Sequence, residues 1–283
     1  MKSACQKDEA LLRDIADARA SGRARLWWLG QSGFLLCAAG KSVLLDPYLS
    51  DSLTRKYSNT DKPHERVTEQ VIAAGRLADI DVITSSHNHT DHLDAETLLP
   101  LFESNPQARF VVPRANTTFV LERLGRVENR LVPIDAGERV RFDGVEFLGV
   151  ESAHNTVERD EAGHCRFLGY VVSVGNVKLY HSGDTLLHEG LAAALRPQRV
   201  GVALLPINGN RPERRVAGNM NGAEAARLAF EIGAWLAIPH HFDMFAFNTE
   251  PPDEFVAECR RLGQPCKVLQ NGEGVDLDSR PHS

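Results

Sequence analysis

Residues 85–94 read Ser-Ser-His-Asn-His-Thr-Asp-His-Leu-Asp. His87, His89 and His92 fall within six residues, with Asp91 among them. Imidazole nitrogens and carboxylate oxygens are ligands that suit zinc, manganese or iron. His87 and His89 are two apart, so in extended backbone their side chains point the same way. Asp91 and His92 then enter a turn and can face a second point. The spacing predicts two neighbouring metal ions, one on His87 and His89, the other on Asp91 and His92. A polar loop of solvated histidines, with Asp94 capping the next helix and Thr97 in its first turn, would account for one histidine. It does not account for three interleaved with an acid.

Two later strand ends carry further donors. His154 follows the expected strand 145–150 and offers a third imidazole to the first ion. Asp184 follows the expected strand 177–180, beside Gly183. A carboxylate has two oxygens and can bridge two cations, which an imidazole cannot. His181, on the same strand end, is expected just behind the ligands. Asn155, His188, Asn208, Asn210 and Arg211 lie on neighbouring loops and are the expected substrate contacts. Arginine suits a phosphate or carboxylate through paired hydrogen bonds. Arg214 and Arg215 read slightly better as surface charge.

These side chains need a scaffold. Val82, Ile83 and Thr84 read as a buried strand and 95–101 as a helix, so the cluster lies on a strand-to-helix loop. Such loops are where a rigid scaffold places chemistry. Apolar spacing predicts a helix over 9–20, then strands at 26–30, 34–37 and 43–46 punctuated by glycines. Residues 51–66 read as a polar loop and 67–77 as a helix. A strand at 110–112 and a helix at 117–124 precede a β-rich stretch over 131–150, with Asp143-Gly144 as a hairpin turn. Strands follow at 167–174, 177–180, 202–207 and 236–239, and helices at 191–195, 222–232 and 253–262. Closing strands are expected at 267–269 and 275–277. Both halves run from strands into helices, and both deliver candidate ligands from strand ends. No linker separates them. The expectation is one domain over 1–283, of two β-sheets back to back with helices on both outer faces. Residues 1–25 would be an N-terminal extension with a short helix.

The bulk properties narrow the partners. The chain has 283 residues, 42% hydrophobic and 25% charged, enough for a full core. A net charge of -6 argues against a nucleic-acid backbone as partner. The five cysteines form no Cys-x-x-Cys pair, which fits a reduced compartment. Residues 1–20 are charged, and no apolar run approaches membrane-spanning length. A cytoplasmic protein without membrane insertion is expected.

The run His-x-His-x-Asp-His, with Asp46, His154, Asp184 and His241 in order around it, resembles the metallo-β-lactamase superfamily. The resemblance extends over nearly the whole chain from Leu26. It implies the α+β four-layer αββα sandwich of two mixed sheets. Trp27-Trp28-Leu29-Gly30, Leu179 to Asp184, Asn219-Met220 and Ile238-Pro239-His240-His241 are similar to the ascorbate-phosphate lactonase branch. That likeness implies a binuclear, metal-dependent hydrolase using zinc or manganese, with iron as an alternative. It implies His87, His89 and His154 on one ion and Asp91, His92 and His241 on the other. Asp184 would bridge, Asp91 would be catalytic, Asp46 would hold the ligand loop from behind, and His240 would line the pocket. The implied substrate is a sugar-type lactone, with or without a phosphate. The alternative is a small phosphodiester, a nucleotide or a phospholipid headgroup. Homo-oligomers occur in that branch, so a homo-oligomer is a further expectation. The chain is shorter than that lactonase, its loop after Asp46 differs, and it carries His154.

Overall fold

The computed structural model describes residues 1–278. Six strands form in the first half: β1 (Arg25–Gly30), β2 (Gly33–Ala38), β3 (Lys41–Leu45), β4 (Val82–Thr84), β5 (Arg109–Pro113) and β6 (Leu131–Ile134). Six follow: β7 (Arg139–Phe142), β8 (Val145–Glu151), β9 (Leu168–Val174), β10 (Val177–His181), β11 (Val202–Pro206) and β12 (Leu236–His240). A last strand, β13 (Gly274–Asp276), returns to β1. The first sheet has the order β13-β1-β2-β3-β4-β5-β6 and the second β12-β11-β10-β9-β8-β7. Each sheet is antiparallel on one side and parallel on the other. The parallel side is β3 to β6 in the first and β10 to β12 in the second. The parallel strands are the ones whose C-terminal ends carry most of the candidate donors.

Side-chain alternation explains why the sheets stack. Successive residues of a strand face opposite sides. Trp28, Phe34, Leu36 and Leu45 therefore point into the seam, where they meet Phe147, Tyr170, Val172 and Leu179 of the second sheet. Trp27, Leu29, Leu35 and Leu44 point the other way. They are covered by Leu11 and Ile15 of α1 (Asp8–Ser21), Leu98 and Leu101 of α3 (Ala95–Ser104), and Val120 of α4 (Thr117–Leu124). Each such side chain contributes about 1.5–3 kcal/mol when fully buried. The outer face of the second sheet is covered by α5 (Leu191–Leu195), α6 (Gly222–Glu231) and α7 (Asp253–Leu262). The result is the four-layer αββα arrangement, an α+β fold. Trp27 and Trp28 are both buried, and each indole N–H has a partner: the Asp14 carboxylate and the Gln31 carbonyl.

Three expectations are corrected. Residues 67–77 are not a helix; apart from a single turn at Ala74–Arg76 they run irregular or extended. Val67, Thr68, Val71 and Ile72 are β-branched, which disfavours helix. Their backbone bonds distant chain instead: Lys2 N–H donates to the Val67 carbonyl, and Val67 N–H donates to the Met244 carbonyl. Residues 267–269 are not a strand. Only an isolated bridge joins Ala237 and Cys266 at that edge, and Pro265 has no N–H to extend a ladder. Residues 51–66 are not wholly loop, because α2 (Ser52–Tyr57) forms there with Leu53 buried. The helix α1 packs on the first sheet, with Leu11, Ile15 and Ala18 buried. Among the described residues, no helix is long and apolar enough to cross a membrane.

Candidate metal centre

The loop after β4 is shaped by its own polar side chains. Asp46, at the end of β3, is fully buried at a positive φ of 39°. Its carboxylate accepts from Thr84 Oγ1 at 2.7 Å and from the Ser86 N–H at 3.0 Å. Side chains of this kind substitute for backbone partners where a strand gives way to a loop. The chain then turns, with the N–H groups of His92 and Leu93 donating to the His89 carbonyl. That turn separates the first two histidines from Asp91 and His92. Asp94 stands at the start of α3, but its carboxylate bonds Thr97 Oγ1 and Ser50 Oγ rather than a helix N–H.

The second sheet brings its donors to the same place. His154 lies three residues past β8, Asp184 three past β10, and His241 directly after β12. Two groups result. One potential ligand atom from each of His87, His89 and His154 lies within 4.8 Å of the others, and the same holds for Asp91, His92, Asp184 and His241. Asp184 stands between the groups. Its Oδ1 is 3.3 Å from His92 Nε2, and its Oδ2 is 3.2 Å from His241 Nε2 and 3.7 Å from His154 Nε2.

Hydrogen bonds on the outer side fix which nitrogen faces inward. The His154 Nδ1–H donates to the Gly218 carbonyl at 2.8 Å. A carbonyl only accepts, so the Nε2 lone pair is left for the centre. The His92 Nδ1–H donates to Asp46 Oδ2 at 2.7 Å, with the same consequence. Partners of this type orient ligating imidazoles. Among the described residues, His87 Nε2, His92 Nε2 and Asp184 Oδ1 are buried without a hydrogen-bond partner. Buried polar atoms are rarely left so. Three of them converging with the other donors fit a divalent cation.

The two groups differ in charge. Burial pushes the Asp46 carboxyl up, but the His92 hydrogen bond and the nearby imidazoles outweigh it and hold it at about 2. Burial, then the neighbouring His154, pulls His89 down to about 4. Burial, with the adjacent imidazoles, takes His87 well below its ordinary value and also lowers His154. His92 and His241 go the other way. Burial opposes their charge, but the Asp184 and Asp91 carboxylates override it and raise both. Burial likewise opposes the Asp184 charge, and His241 and His92 override it, holding that carboxyl well below its usual range. The first group thus disfavours charge on its imidazoles, whereas in the second the carboxylates favour it.

A cavity of about 530 Å³ opens onto both groups. His89, Asp91, His154, Asp184 and His241 reach its wall. His87, His92 and Asp46 lie behind it. His181 is hydrogen-bonded to the Ser32 carbonyl at 2.8 Å and accepts from the Gly183 N–H at 3.3 Å, so it props the backbone that leads to Asp184.

Asn155, His188, Asn208, Asn210, Arg211 and His240, expected as substrate or pocket contacts, do not line this cavity. His240 is fully buried and stacked on His181, with ring centres 5.2 Å apart. Asn208 is buried and bonds Asn248 and Asn219. Asn155 spends its carbonyl oxygen on the Gly218 N–H, and His188 bonds the Glu151 carbonyl. Arg211 is paired with Glu250, and Asn210 is exposed without facing the cavity. Arg215, read as surface charge, does line it. Sequence reasoning missed Gln31, Phe119 and Arg123, which also line it. Gln31 Nε2 donates to Asp91 Oδ2 at 2.8 Å and lies 3.1 Å from His241 Nε2. The one available signal was its place between two turn glycines, Gly30 and Gly33.

Comparison with known proteins agrees with this architecture. A family model described as the beta-lactamase superfamily domain matches residues 41–242. A UPF0173 metal-dependent hydrolase of Sulfolobus acidocaldarius is 28% identical over 256 residues, covering 89% of this chain and 99% of the relative. Among solved structures, the metallo hydrolase Igni18 of Ignicoccus hospitalis superposes with a TM-score of 0.67 at 19% identity. That match covers 90% of this chain and 99% of Igni18. An isothiocyanate hydrolase from Delia radicum gut bacteria superposes with a TM-score of 0.71 at 15% identity, covering 89% and 98%.

Proposed function

The chain belongs to the beta-lactamase superfamily, and on that premise we propose that it is a binuclear metal-dependent hydrolase that opens a sugar-type lactone. The observation that supports this reading is the placement of Asp184 between two donor groups, with His87 Nε2, His92 Nε2 and Asp184 Oδ1 buried without other partners. His87, His89 and His154 would hold one ion, Asp91, His92 and His241 the other, and Asp184 would serve both. Zinc and manganese both suit this donor set, as does iron. The lactonase assignment follows the likeness of the strand-end motifs to the ascorbate-phosphate lactonase branch.

Two divalent cations held there would acidify a water and polarise the carbonyl oxygen of the substrate. The chain's own residues do the rest. Asp91 reaches the cavity wall and is the proposed catalytic base. It accepts from Gln31 Nε2 through Oδ2, which leaves Oδ1 to hold the attacking water. Asp91 takes the proton of that water as the new C–O bond forms. The ring C–O bond then breaks, and the same proton goes to the departing ring oxygen, giving a hydroxy acid. Asp46 and the Gly218 carbonyl keep His92 and His154 in the tautomer with Nε2 inward throughout.

The test is hydrolysis by purified, metal-analysed protein of sugar lactones and of bis(p-nitrophenyl) phosphate, with added zinc or manganese. Lactone opening that vanishes on chelation is expected. Cleavage of the phosphodiester alone would replace the lactone reading with the phosphodiesterase one.

A further inference from the structure

Gln31 reaches a candidate ligand from each sheet. It stands in the turn between β1 and β2, buried, with a positive φ of 49°. Residues other than glycine seldom adopt that region, and those that do gather at functional sites. Its carbonyl accepts from the Trp28 indole N–H at 2.9 Å and from the His241 backbone N–H at 3.0 Å. The backbone of Gln31 is thus tied both to β1 and to the ligand loop of the second sheet.

Its side chain meets the second donor group through nitrogen. Gln31 Nε2 is 2.8 Å from Asp91 Oδ2 and 3.1 Å from His241 Nε2. These are inward atoms of that group, since His241 Nε2 is also 3.2 Å from Asp184 Oδ2. An ionised carboxylate only accepts, so Asp91 fixes the nitrogen of the amide, rather than its oxygen, at this place. An amide nitrogen carries two N–H donors and offers a cation no ligand. The positive ends of those donors lie against the second group. Asp91 Oδ2 has lone pairs enough for an ion and an N–H together. His241 Nε2 has at most one, so there an ion and the amide exclude each other. The first group differs: among the described residues, His87 Nε2 has no hydrogen-bond partner.

We propose that the Gln31 amide competes with a divalent cation for His241 Nε2 and so weakens the second metal group against the first. The two ions then load in order, the first on His87, His89 and His154, the second on Asp91, His92 and His241. Gln31 keeps its bond to Asp91 when the second ion enters and gives up its contact with His241. The protein would hold one ion firmly and exchange the other with its surroundings. This role of Gln31 rests on the two-ion reading above.

The test titrates zinc into metal-stripped full-length protein against a chelator of known affinity, so that turnover is not needed. The natural protein is expected to show two binding constants at least about tenfold apart. His89→Ala should remove the tighter one; loss of the weaker one instead would overturn the order. Q31M has nearly the shape of glutamine and no N–H. In it the weaker constant should tighten by about tenfold, the scale of one hydrogen bond no longer given up, and the tighter one should stay. Q31L should do the same, and decides the matter if Q31M does not fold. A weaker constant unmoved in these variants would overturn the proposal. So would one that loosens, which would make the amide a ligand through Oε1. A single ion per chain at every zinc level, in natural protein and variants alike, would remove the two-ion reading itself. Two ions with neither constant moved would remove the role of Gln31 alone.

Discussion

Asp46 and His92 are joined by a 2.7 Å hydrogen bond between two fully buried side chains. That bond ties the end of one strand to the loop after a neighbouring strand. It also decides which imidazole nitrogen is available to an ion. In Asp46→Asn the amide nitrogen must face one of the donors that the carboxylate now accepts. Metal affinity of the second group is expected to fall about 10–100-fold, while the first group holds. Chelator competition with one and two equivalents of zinc would read the two sites apart. Equal weakening of both would refute the assignment.

The same carboxylate makes the metal-free protein acid-sensitive in a defined window. Its folded-state value of about 2 lies below the ordinary 3.8. A depressed carboxyl contributes stability that is present above the unfolded value and lost as pH falls through the folded one. Metal-free protein should therefore lose about 2 kcal/mol from this group between pH 5 and pH 2. Urea melts of natural protein and Asp46→Asn across that range check it. Parallel pH slopes in the two proteins would show that the group contributes nothing.

Proton competition should separate the two ions. The Asp184 and Asp91 carboxylates raise His92 and His241, so as pH falls a metal at the second group must increasingly displace protons from them. Burial holds His89 down to about 4 and also lowers His87 and His154, so proton competition at the first group is weaker over that range. Affinity at the second group should drop as pH falls from 8 to 6, and affinity at the first should stay nearly flat. Metal titrations at the two pH values would show this as one moving and one fixed binding constant.

Replacing Asp184 with alanine should abolish the proposed bridge. Bound metal should fall from two equivalents to one or fewer, and lactone opening should fall by more than about a thousandfold, or roughly 4 kcal/mol of barrier. Elemental analysis beside the rate decides it. Two retained metals with full activity would remove Asp184 from the centre.

Gly183 offers a structural counterpart. It has a φ of +57°, and an added Cβ would meet the Ser86 side chain at 2.6 Å. Gly183→Ala should therefore cost stability, about 1–3 kcal/mol, and also disturb the loop that carries His87. A lowered melting temperature with weakened metal binding is expected, and an unchanged melt would argue against the close approach.

Much of this was legible in the sequence for a physical reason. Strand alternation and helix spacing are local, so α4 and α7 match the expected ranges residue for residue. The donors could be found because four of them fall in one short run, while His154, Asp184 and His241 each lie within three residues of the end of a largely buried strand. The misses are places where distant chain decides. Residues 67–77 have apolar spacing compatible with a helix, yet their backbone partners lie at Lys2, Asp8 and Met244. The cavity wall was the least legible part. Asn208, Arg211 and His240 have suitable chemistry but find their partners within the protein. Gln31 and Arg123 look ordinary in sequence and become pocket residues only when two sheets meet.

The donors divide by origin. His87, His89, Asp91 and His92 hang from the first sheet, and His154, Asp184 and His241 from the second. An ion gripped from both sides is therefore a rivet through the seam as well as a reagent. Its binding energy adds directly to the free energy of unfolding, about 2.7 kcal/mol when free ion exceeds its dissociation constant a hundredfold. Starving a cell of that ion would then thin out the protein itself, as well as silence it.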